Sequence, residues 1–354
     1  MKVRNLIIAE GQKMGILFST ARRLITEDGK YPGAYVFQPI KGAVKPKLSV
    51  RERKKNLDTW KEIPDADIAL MEESIYSGTV EEFKHPESGA LFEAFTAEEN
   101  KYPVSGLDFS SLYPSLIMTY NMSPEYMAFS EDHANRLIKE GHELHKIEFM
   151  FNGKSRIAWS IRHDTYDGVT LLPGKKKNKF GLYPSILKKL FDKRSAMKKI
   201  MKVSACRKEE LEKSGEHDTD EYRTVCFSYN YMNLKQKALK VFMNTFYGET
   251  GNKRSPFFVL TIAGGITTAG VRNIKMVSKL VTGAGCKLYY GDTDSCYISC
   301  MPKHFTELDR RYYGGRMDKR DYCTALVTET FVQIESVKKM ANAHLIADNG
   351  TGFL

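Results

Sequence analysis

The pattern of apolar and polar positions along the chain predicts both strands and helices. Short apolar runs broken by Gly and Pro predict strands and turns over residues 1–42, with one strand at 33–39. Further strands are predicted at 104–109, 148–160, 288–290 and 296–298. Apolar residues at helical spacing predict helices at 131–147, 183–211, 231–247, 271–280 and 318–347. A polar turn at 213–225 separates two of these helices, which are therefore expected to form an antiparallel αα-hairpin.

Residues 43–101 interrupt this pattern. A basic run at 45–55 is followed by an acidic stretch at 72–82, and the apolar periodicity between them is weak. Segregated charge without periodicity predicts an insertion or a mobile surface element. The basic run could contact nucleic acid, or it could be an ordinary solvated surface.

A tight turn joins the predicted strands at 288–290 and 296–298, and it carries Asp292 and Asp294. Two unit charges held ~4 Å apart repel by ~4 kcal/mol at an effective dielectric of ~20, which favours a bound cation. The alternative is that both side chains simply suit a turn and point into water. The turn alone leaves both interpretations open.

The strand predicted at 104–109 ends in a third carboxylate, Asp108. Ser110 and Ser111 can cap a following helix, because serine is favoured at helix starts and Pro114 suits a first turn. Apolar residues of that helix are expected to face a core: Leu112, Leu116 and Ile117.

Polar side chains line one face of each predicted long helix. Lys240, Asn244 and Tyr247 share a face, with Gln236 one turn earlier and Gly248 as the expected helix stop. The opposite side is predicted to be an apolar stripe of Leu234, Ala238, Val241, Phe242 and Met243. On the first helix, Arg194, Lys198 and Lys202 form a row of like charges, which repel by ~0.2–0.5 kcal/mol per pair. Such faces can bind phosphates or can simply be solvated.

Composition limits the classes of partner and compartment. The 354 residues carry a net charge of +11 with a pI of about 9.1, which fits nucleic acid, an acidic protein or an anionic membrane surface as partner. Six Cys without a CxxC pair predict reduced thiols, and HELH at 142–145 is interpreted as a solvated helix face. Because no signal peptide or transmembrane stretch is evident, a soluble intracellular protein without membrane contact is expected.

Three motifs in order resemble motifs A, B and C of the family B DNA polymerases of the α/δ type, which many large DNA viruses share. They are DFSSLYPS at 108–115, KVFMNTFYG at 240–248 and YGDTDS at 290–295. SPE at 123–125 and GLYPSILKKLFDKRSAMKK at 181–199 are also similar to that family, while SLYPSLIMTYNMSPE and the final TGFL resemble its asfarvirus-like members. The resemblance implies an α+β fold: a polymerase palm with an antiparallel β-sheet and flanking helices, plus an antiparallel two-helix fingers subdomain.

The resemblance also implies a domain order. Residues 1–42 would be strands leading into the palm, 43–101 the charged insertion, and 102–173 the first palm part with motif A. Residues 174–248 would be the fingers hairpin with motif B, and 249–354 the second palm part with motif C, ending before the thumb.

The family's roles transfer onto matching residues. Asp108 and Asp294, with the Phe109 carbonyl and Asp292 alongside, would hold two Mg²⁺ ions, for which Mn²⁺ could substitute. The dNTP would be bound by Ser111, Leu112, Arg194, Lys198, Lys240 and Asn244, with Lys240 protonating the pyrophosphate. Tyr113 would be the steric gate that excludes a 2′-hydroxyl, and Tyr247 and Gly248 would pack on the nascent base pair.

The implied function is template-directed addition of dNTPs to a primer 3′ end in viral DNA replication, in the host cytoplasm or nucleus.

The sequence departs from the family in three ways. Thr245 replaces the usual Ser, residues 43–101 exceed the usual spacing, and the exonuclease, KKxY and thumb motifs are lacking. The missing exonuclease and thumb are expected in a larger polypeptide, which could also bind a processivity factor besides primer–template DNA. Two rivals are a catalytically silent DNA-binding or scaffold subunit and an RNA-synthesising palm enzyme.

Overall fold

The computed structural model describes residues 2–17, 29–39, 65, 82–84, 91–93, 102–163, 165–166, 169–170, 179–350 and 352–354. The insertion predicted at 43–101 therefore lies outside the described residues, apart from position 65 and two three-residue strands. The helices are α1 (Lys2–Lys13), α2 (Leu112–Thr119), α3 (Glu131–Lys139), α4 (Leu182–Lys213), α5 (Asp220–Gly251), α6 (Leu260–Gly283), α7 (Thr306–Tyr313) and α8 (Lys319–Asn349), with 3₁₀ turns at Pro124–Tyr126 and Pro302–His304.

The strands are short and pair antiparallel throughout the described residues. They are β1 (Val36–Phe37), β2 (Glu82–Lys84), β3 (Leu91–Glu93), β4 (Val104–Asp108), β5 (Met127–Ala128), β6 (Leu144–Phe151), β7 (Lys154–Ile161), β8 (Thr165–Tyr166), β9 (Val169–Thr170), β10 (Lys287–Asp292) and β11 (Ser295–Ser299). The predicted combination of helices with antiparallel sheets is thus confirmed, although the palm and fingers arrangement stays a prediction.

The chain divides into two compact units. Unit 1 contains Met1–Tyr35, Phe109–Asn273 and Asn342–Leu354, and unit 2 contains Val36–Asp108 and Ile274–Ala341. Unit 1 holds a three-stranded sheet of order β5-β7-β6 and the two long helices α4 and α5. Unit 2 holds a four-stranded sheet of order β1-β10-β11-β4.

The core of unit 1 forms where α2 and α6 meet apolar neighbours. Leu112, Leu116 and Ile117 are all buried, as predicted. On α6, Gly264 approaches the β6–β7 sheet so closely that an added Cβ would lie 2.4 Å from the Phe149 ring. A side chain at position 264 would therefore push the helix away from the sheet.

The core of unit 2 includes a buried carboxylate. Asp309 of α7 is only 5% exposed and accepts hydrogen bonds from the hydroxyls of Tyr102 (2.7 Å) and Tyr322 (2.6 Å). The Tyr102 ring stacks on Phe305 at 4.3 Å, so this pair links the start of β4 to α7. A buried carboxylate without hydrogen bonds would destabilise the fold, and these two hydroxyl groups supply the donors.

Several predicted boundaries are wrong. Residues 2–13 form helix α1 rather than strands, since Val3, Ile7 and Gly11 recur every four positions and are buried together. Only Val36–Phe37 of the strand predicted at 33–39 is paired. The helix predicted at 131–147 ends at Lys139, and β6 begins at Leu144. HELH is therefore no helix face: its second histidine lies on β6.

The predicted αα-hairpin exists, but its second helix is longer than predicted. α5 begins at Asp220, where the Thr219 hydroxyl accepts a hydrogen bond from the Tyr222 N–H, and it continues to Gly251. The turn predicted at 213–225 therefore shrinks to six residues between the helices. Gly248 lies inside α5 and does not end it.

The other two long helices were also predicted. The helix predicted at 271–280 is longer, Leu260–Gly283, and the helix predicted at 318–347 matches α8 closely. No helix in the described ranges has an apolar stretch long enough to traverse a bilayer.

We expect acid to destabilise unit 1 through His145. The ring of His145 meets Tyr120 edge-on at 5.0 Å, and burial, with Arg162, His163 and Arg272 nearby, lowers its pKa well below 6.5. The unfolded chain therefore binds a proton that the folded chain does not, and the free energy of unfolding falls as pH drops below about 6.5.

Urea unfolding at about pH 7.5 and about pH 5.5 measures this loss. His145→Phe should reduce the pH dependence, whereas His217→Gln, on the exposed turn before α5, should leave it unchanged. Equal pH dependence in the His145→Phe chain would contradict the assignment.

Candidate active site

The predicted site residues fall into two groups, one in each unit, and each group is described within its own unit. The acidic group lies on the unit 2 sheet. Asp292 ends β10 and pairs with Ser295 of β11, and Ser295 pairs in turn with Asp108 at the end of β4. Directly paired residues point to the same face of a sheet, so two carboxylates flank one serine on one face, at the same end of three adjacent strands.

The turn that carries Asp294 is held by local hydrogen bonds. Thr293 adopts a left-handed conformation (φ 51°), and the Asp294 N–H donates to the Asp292 carbonyl. The Asp292 carboxylate accepts from the Thr293 hydroxyl at 2.8 Å and from the Tyr290 hydroxyl at 3.3 Å. A non-glycine residue at positive φ is uncommon and marks a constrained turn.

Gly291 is required by the packing of this hairpin. An added Cβ would lie 2.5 Å from the Phe37 ring on β1 and 2.9 Å from the Ser295 carbonyl on β11. The backbone oxygen cannot move without breaking the sheet, so a larger residue here would displace the end of β10. The glycine thereby keeps Asp292 in register with its neighbours.

The donors of the acidic group suit a hard divalent cation. Asp108, Asp292 and Asp294 offer only oxygen ligands, which favour Mg²⁺ or Mn²⁺ over zinc. Within the described ranges, no three His, Cys, Asp or Glu side chains form a ready metal cluster. Mg²⁺ commonly binds one or two carboxylates and completes its shell with water and substrate phosphates, so this donor set fits it.

The second group centres on the start of α2 in unit 1. Ser111 occupies the N-cap position as predicted, but it is left-handed (φ 57°) and its side chain makes no capping hydrogen bond. Its hydroxyl instead accepts from the Arg194 Nη1 at 3.2 Å. The first N–H groups of α2, including that of Leu112, lie at the positive end of the helix dipole.

Arg194 is the most buried of the candidate cations. It is 9% exposed, and its Nε donates to the side-chain oxygen of Gln236 on α5 at 3.3 Å. The same Gln236 donates to Asn233 at 3.0 Å. This contact orients the guanidinium and corrects the prediction for Gln236, which is buried against α4 and is not part of a ligand-facing surface.

Lys198 lies close enough to Arg194 and to Lys240 to be repelled by the charge of each. Burial lowers the pKa of Lys198, and the charges of Arg194 and Lys240 lower it further. Burial also lowers the pKa of Arg194. None of the ion pairs in the described part of the chain involves these three cations, so α4 and α5 together present uncompensated positive charge.

Three tyrosines form a cluster between α2 and the end of α5. Tyr113 of α2 stacks on Tyr247 of α5 with ring centroids 4.4 Å apart. Burial raises the pKa of the Tyr247 hydroxyl strongly, with Tyr31 and then Tyr113 raising it further. Tyr31, which also donates to the Gly251 carbonyl at 3.5 Å, was not identified from the sequence, because it lies outside the three motifs.

The rest of the α5 face differs from the prediction. Lys240 and Asn244 are exposed as expected, and an added Cβ at Gly248 would meet nothing within 4 Å. The predicted apolar stripe is wrong, since Leu234 is 68% and Val241 64% exposed. Met243 and Phe246 are the buried positions near the helix end.

The SPE motif at 123–125 holds the start of α4, a role that sequence reasoning missed. The Leu182 N–H donates to the Glu125 carboxylate at 2.5 Å, and the Tyr183 N–H donates to the Ser123 hydroxyl at 3.1 Å. The side chain of Asn121 accepts from the Gly181 N–H at 2.8 Å. These contacts cap the helix that carries Arg194 and Lys198. The serine and the acidic residue of the SPE motif are typical of helix caps, so the sequence did contain a signal for this role.

A protein-family model described as DNA polymerase family B matches residues 95–312 of this chain. The DNA polymerase beta of African swine fever virus (isolate Pig/Portugal/Lis 60/1960) is 34% identical over 359 residues, covering 100% of this chain and 23% of that protein. A DNA polymerase of Paramecium bursaria Chlorella virus NY2A is 29% identical over 198 residues, covering 55% of this chain and 18% of its own length.

One solved structure is also similar, that of the family B DNA polymerase from the hyperthermophilic archaeon Pyrobaculum calidifontis. It is 19% identical, with a TM-score of 0.38, and the match covers 84% of this chain and 26% of that one. The chain thus spans about a quarter of the length of the relatives it matches.

Proposed function

Because this chain belongs to DNA polymerase family B, we propose that it carries out template-directed addition of dNTPs to a primer 3′-hydroxyl with release of pyrophosphate. The resemblance of its motifs to that family, and to the polymerases of asfarvirus-like viruses, is confirmed. The observation that carries the proposal is the row Asp108–Ser295–Asp292 at one end of the unit 2 sheet, with Asp294 in the adjoining turn.

Asp108 and Asp294, with the Phe109 carbonyl and with Asp292 alongside, would hold two Mg²⁺ ions. Bound there, the ions would supply Lewis-acid activation of the primer hydroxyl and neutralise charge on the phosphates. The hydrogen bonds that Asp292 accepts from Thr293 and Tyr290 occupy part of its carboxylate. These hydrogen bonds also tie the Asp292 side chain to the turn that carries Asp294.

The triphosphate would be bound by the cations of α4 and α5 and by the N–H groups at the start of α2. Arg194 and Lys240 each repel the charge of Lys198 in the free chain, and a triphosphate would relieve that repulsion. Ser111 and Leu112 would offer main-chain N–H donors in the positive field of the helix N-terminus. Lys240, which is exposed, is the proposed donor of a proton to the departing pyrophosphate.

The remaining residues would position the sugar and the base pair. Asn244 would orient the nucleotide, and Tyr247 and Gly248 would pack on the nascent pair. Tyr113, stiffened by its stacking on Tyr247, would leave no room for a 2′-hydroxyl. A stacked ring is a better gate than a freely rotating one, because it cannot turn aside at low cost.

Tyr113→Ala is expected to admit ribonucleotides. Relief of a steric clash worth ~1–3 kcal/mol should raise the rNTP-to-dNTP ratio of incorporation efficiency by ~5–150-fold. Single-nucleotide incorporation with matched rNTP and dNTP measures that ratio. Tyr113→Phe keeps the ring and should keep the discrimination. An unchanged ratio in Tyr113→Ala would refute the gate assignment and reopen the RNA-synthesising alternative.

The test of the function is primer extension by the 354-residue chain at low salt with Mg²⁺ or Mn²⁺. The expected result is metal-dependent incorporation of only the nucleotide complementary to the template. The rival, a silent DNA-binding or scaffold subunit, would bind the primer–template but give no extension under any metal. Low salt is needed because a chain that makes few phosphate contacts binds DNA weakly, and added salt lowers that affinity further.

Several further features are proposed for the longer protein. Residues 102–173 and 249–354 would form the palm and 174–248 the fingers, with exonuclease and thumb regions elsewhere in the same polypeptide. Primer–template DNA, dNTPs and a processivity factor would be its partners. Its work would be viral DNA replication within the host cytoplasm or nucleus.

A further inference from the structure

The strands β10 and β11, which are joined by the turn that carries Asp294, are flanked at their other ends by two cysteines. Lys287 of β10 pairs with Ser299 of β11, so one further step along both strands places Cys286 opposite Cys300. Opposite residues of antiparallel strands have Cα atoms ~4.5–5.5 Å apart, which lies within the ~4.4–6.8 Å range of disulfides. Both side chains are buried, with 7% and 3% exposure.

The two thiols also interact chemically. Their mutual interaction lowers the pKa of Cys286 to about 7 and raises that of Cys300. Burial and the carboxylate of Glu329 on α8 raise the pKa of Cys300 further. Cys286 is therefore the better nucleophile of the pair, because the thiolate is the reactive form.

A third cysteine on the same hairpin provides an internal comparison. Cys296 is 1% exposed and pairs with Gly291, so no thiol lies opposite it. Burial alone raises the pKa of Cys296 to about 11. All six cysteines are free thiols in this structure.

We propose that Cys286 and Cys300 form a site of reversible oxidation, closing to an intramolecular disulfide on reaction with hydrogen peroxide. The Cys286 thiolate attacks one peroxide oxygen, so an S–O bond forms, the O–O bond breaks and the released hydroxide takes up a proton to become water. The Cys300 sulfur then attacks the Cys286 sulfenic acid. An S–S bond forms, the S–O bond breaks, and the departing hydroxide takes the Cys300 proton as a second water.

The disulfide ties the two ends of the hairpin without reaching its turn. It closes a loop from 286 to 300 that contains both motif C carboxylates, and the register already matches disulfide geometry. The cross-link therefore stabilises the hairpin against unfolding and leaves the arrangement of the turn unchanged. It also removes a reactive thiolate that further peroxide would convert irreversibly to sulfinic acid.

Peptide mapping of the oxidised chain tests the proposal directly. The 354-residue chain is treated with hydrogen peroxide at low protein concentration, alkylated and digested with trypsin without reduction. Cleavage at Lys279, Lys287 and Lys303 leaves Cys286 in residues 280–287 and both Cys296 and Cys300 in residues 288–303. The expected product is these two peptides joined and lighter by two hydrogens, and separated again by dithiothreitol.

Substitutions assign the partner and measure the consequence. The cross-link should persist in Cys296→Ser and disappear in Cys300→Ser, and oxidation should raise the melting temperature of the wild-type chain by roughly 5 °C. Cys206→Ser/Cys323→Ser, which removes two exposed thiols, should behave as the wild type does. Peptide mapping of the wild-type chain still tests the proposal even if the Cys300→Ser chain fails to fold.

Two results would overturn the proposal. In the first, Cys286 is oxidised to sulfinic acid or cross-linked to Cys296, and no disulfide forms between Cys286 and Cys300. The other is a pair that keeps both thiols at a peroxide concentration that oxidises the exposed Cys206 and Cys323.

Discussion

Changing Asp294 to asparagine is expected to abolish primer extension while leaving the fold intact. The substitution keeps the size of the side chain but removes the charge that would hold a divalent cation. Removing one preorganised charge-stabilising group costs ~10²–10³-fold in rate, and we expect at least that loss here. The turn itself should survive, because it is held by the main-chain hydrogen bond from Asp294 N–H to the Asp292 carbonyl. Asparagine also suits turns.

Steady-state incorporation rates and circular dichroism of the two chains test this expectation. Glu335→Gln is the matched control, since it changes an exposed carboxylate of unit 2 to the same kind of amide. That control should retain full activity. Extension at an undiminished rate by the Asp294→Asn chain would place the chemistry outside the acidic hairpin, or in a contaminating polymerase.

Arg194→Met is expected to raise the KM for dNTP by ~10–150-fold, because hydrogen bonds to a charged group contribute ~1.5–3 kcal/mol. Methionine keeps much of the length and apolar stem of arginine but removes its charge and donors. The free energy of unfolding should change little. Loss of the contacts to Ser111 and Gln236 is offset by removal of a cation whose pKa burial already lowers.

The control for this prediction is Arg207→Met on the same helix. Arg207 is exposed and paired with Glu210 and Glu221. The Arg207→Met substitution should leave the KM for dNTP unchanged, and both variants should bind primer–template DNA with similar affinity. A KM effect of equal size in the two variants would mean that general positive charge on α4 matters, and that the oriented guanidinium of Arg194 does not.

The parts of this protein that the sequence predicted correctly depend on short-range patterns. The hairpin at 288–298 follows from two apolar runs around a Gly/Asp turn, although its register shift between Leu288 and Tyr290 was not predicted. The burial of Leu112, Leu116 and Ile117 follows from their helical spacing. The family follows from three motifs whose residues are close together within each motif.

The errors arose where a local pattern is compatible with two structures. The pattern of residues 2–13 is equally compatible with short strands broken by Gly, and the burial of one face within unit 1 favours the helix. On α5, Val241 and Met243 are both apolar, but only Met243 is buried, because the packing partner decides which side of a helix is covered. An isolated sequence does not contain that information.

The sequence by itself determined which reactive side chains this protein carries: three carboxylates at or next to strand ends, three cations on two long helices, and a tyrosine within the first motif. The tertiary structure decided how these residues act on one another. Arg194 and Ser111 are 83 positions apart yet hydrogen-bonded, and Gln236 orients that arginine from another helix. Cys286 and Cys300 became a pair only through strand register. The physical reason is that residue type and spacing fix what a side chain can do locally, whereas long-range packing selects its partner.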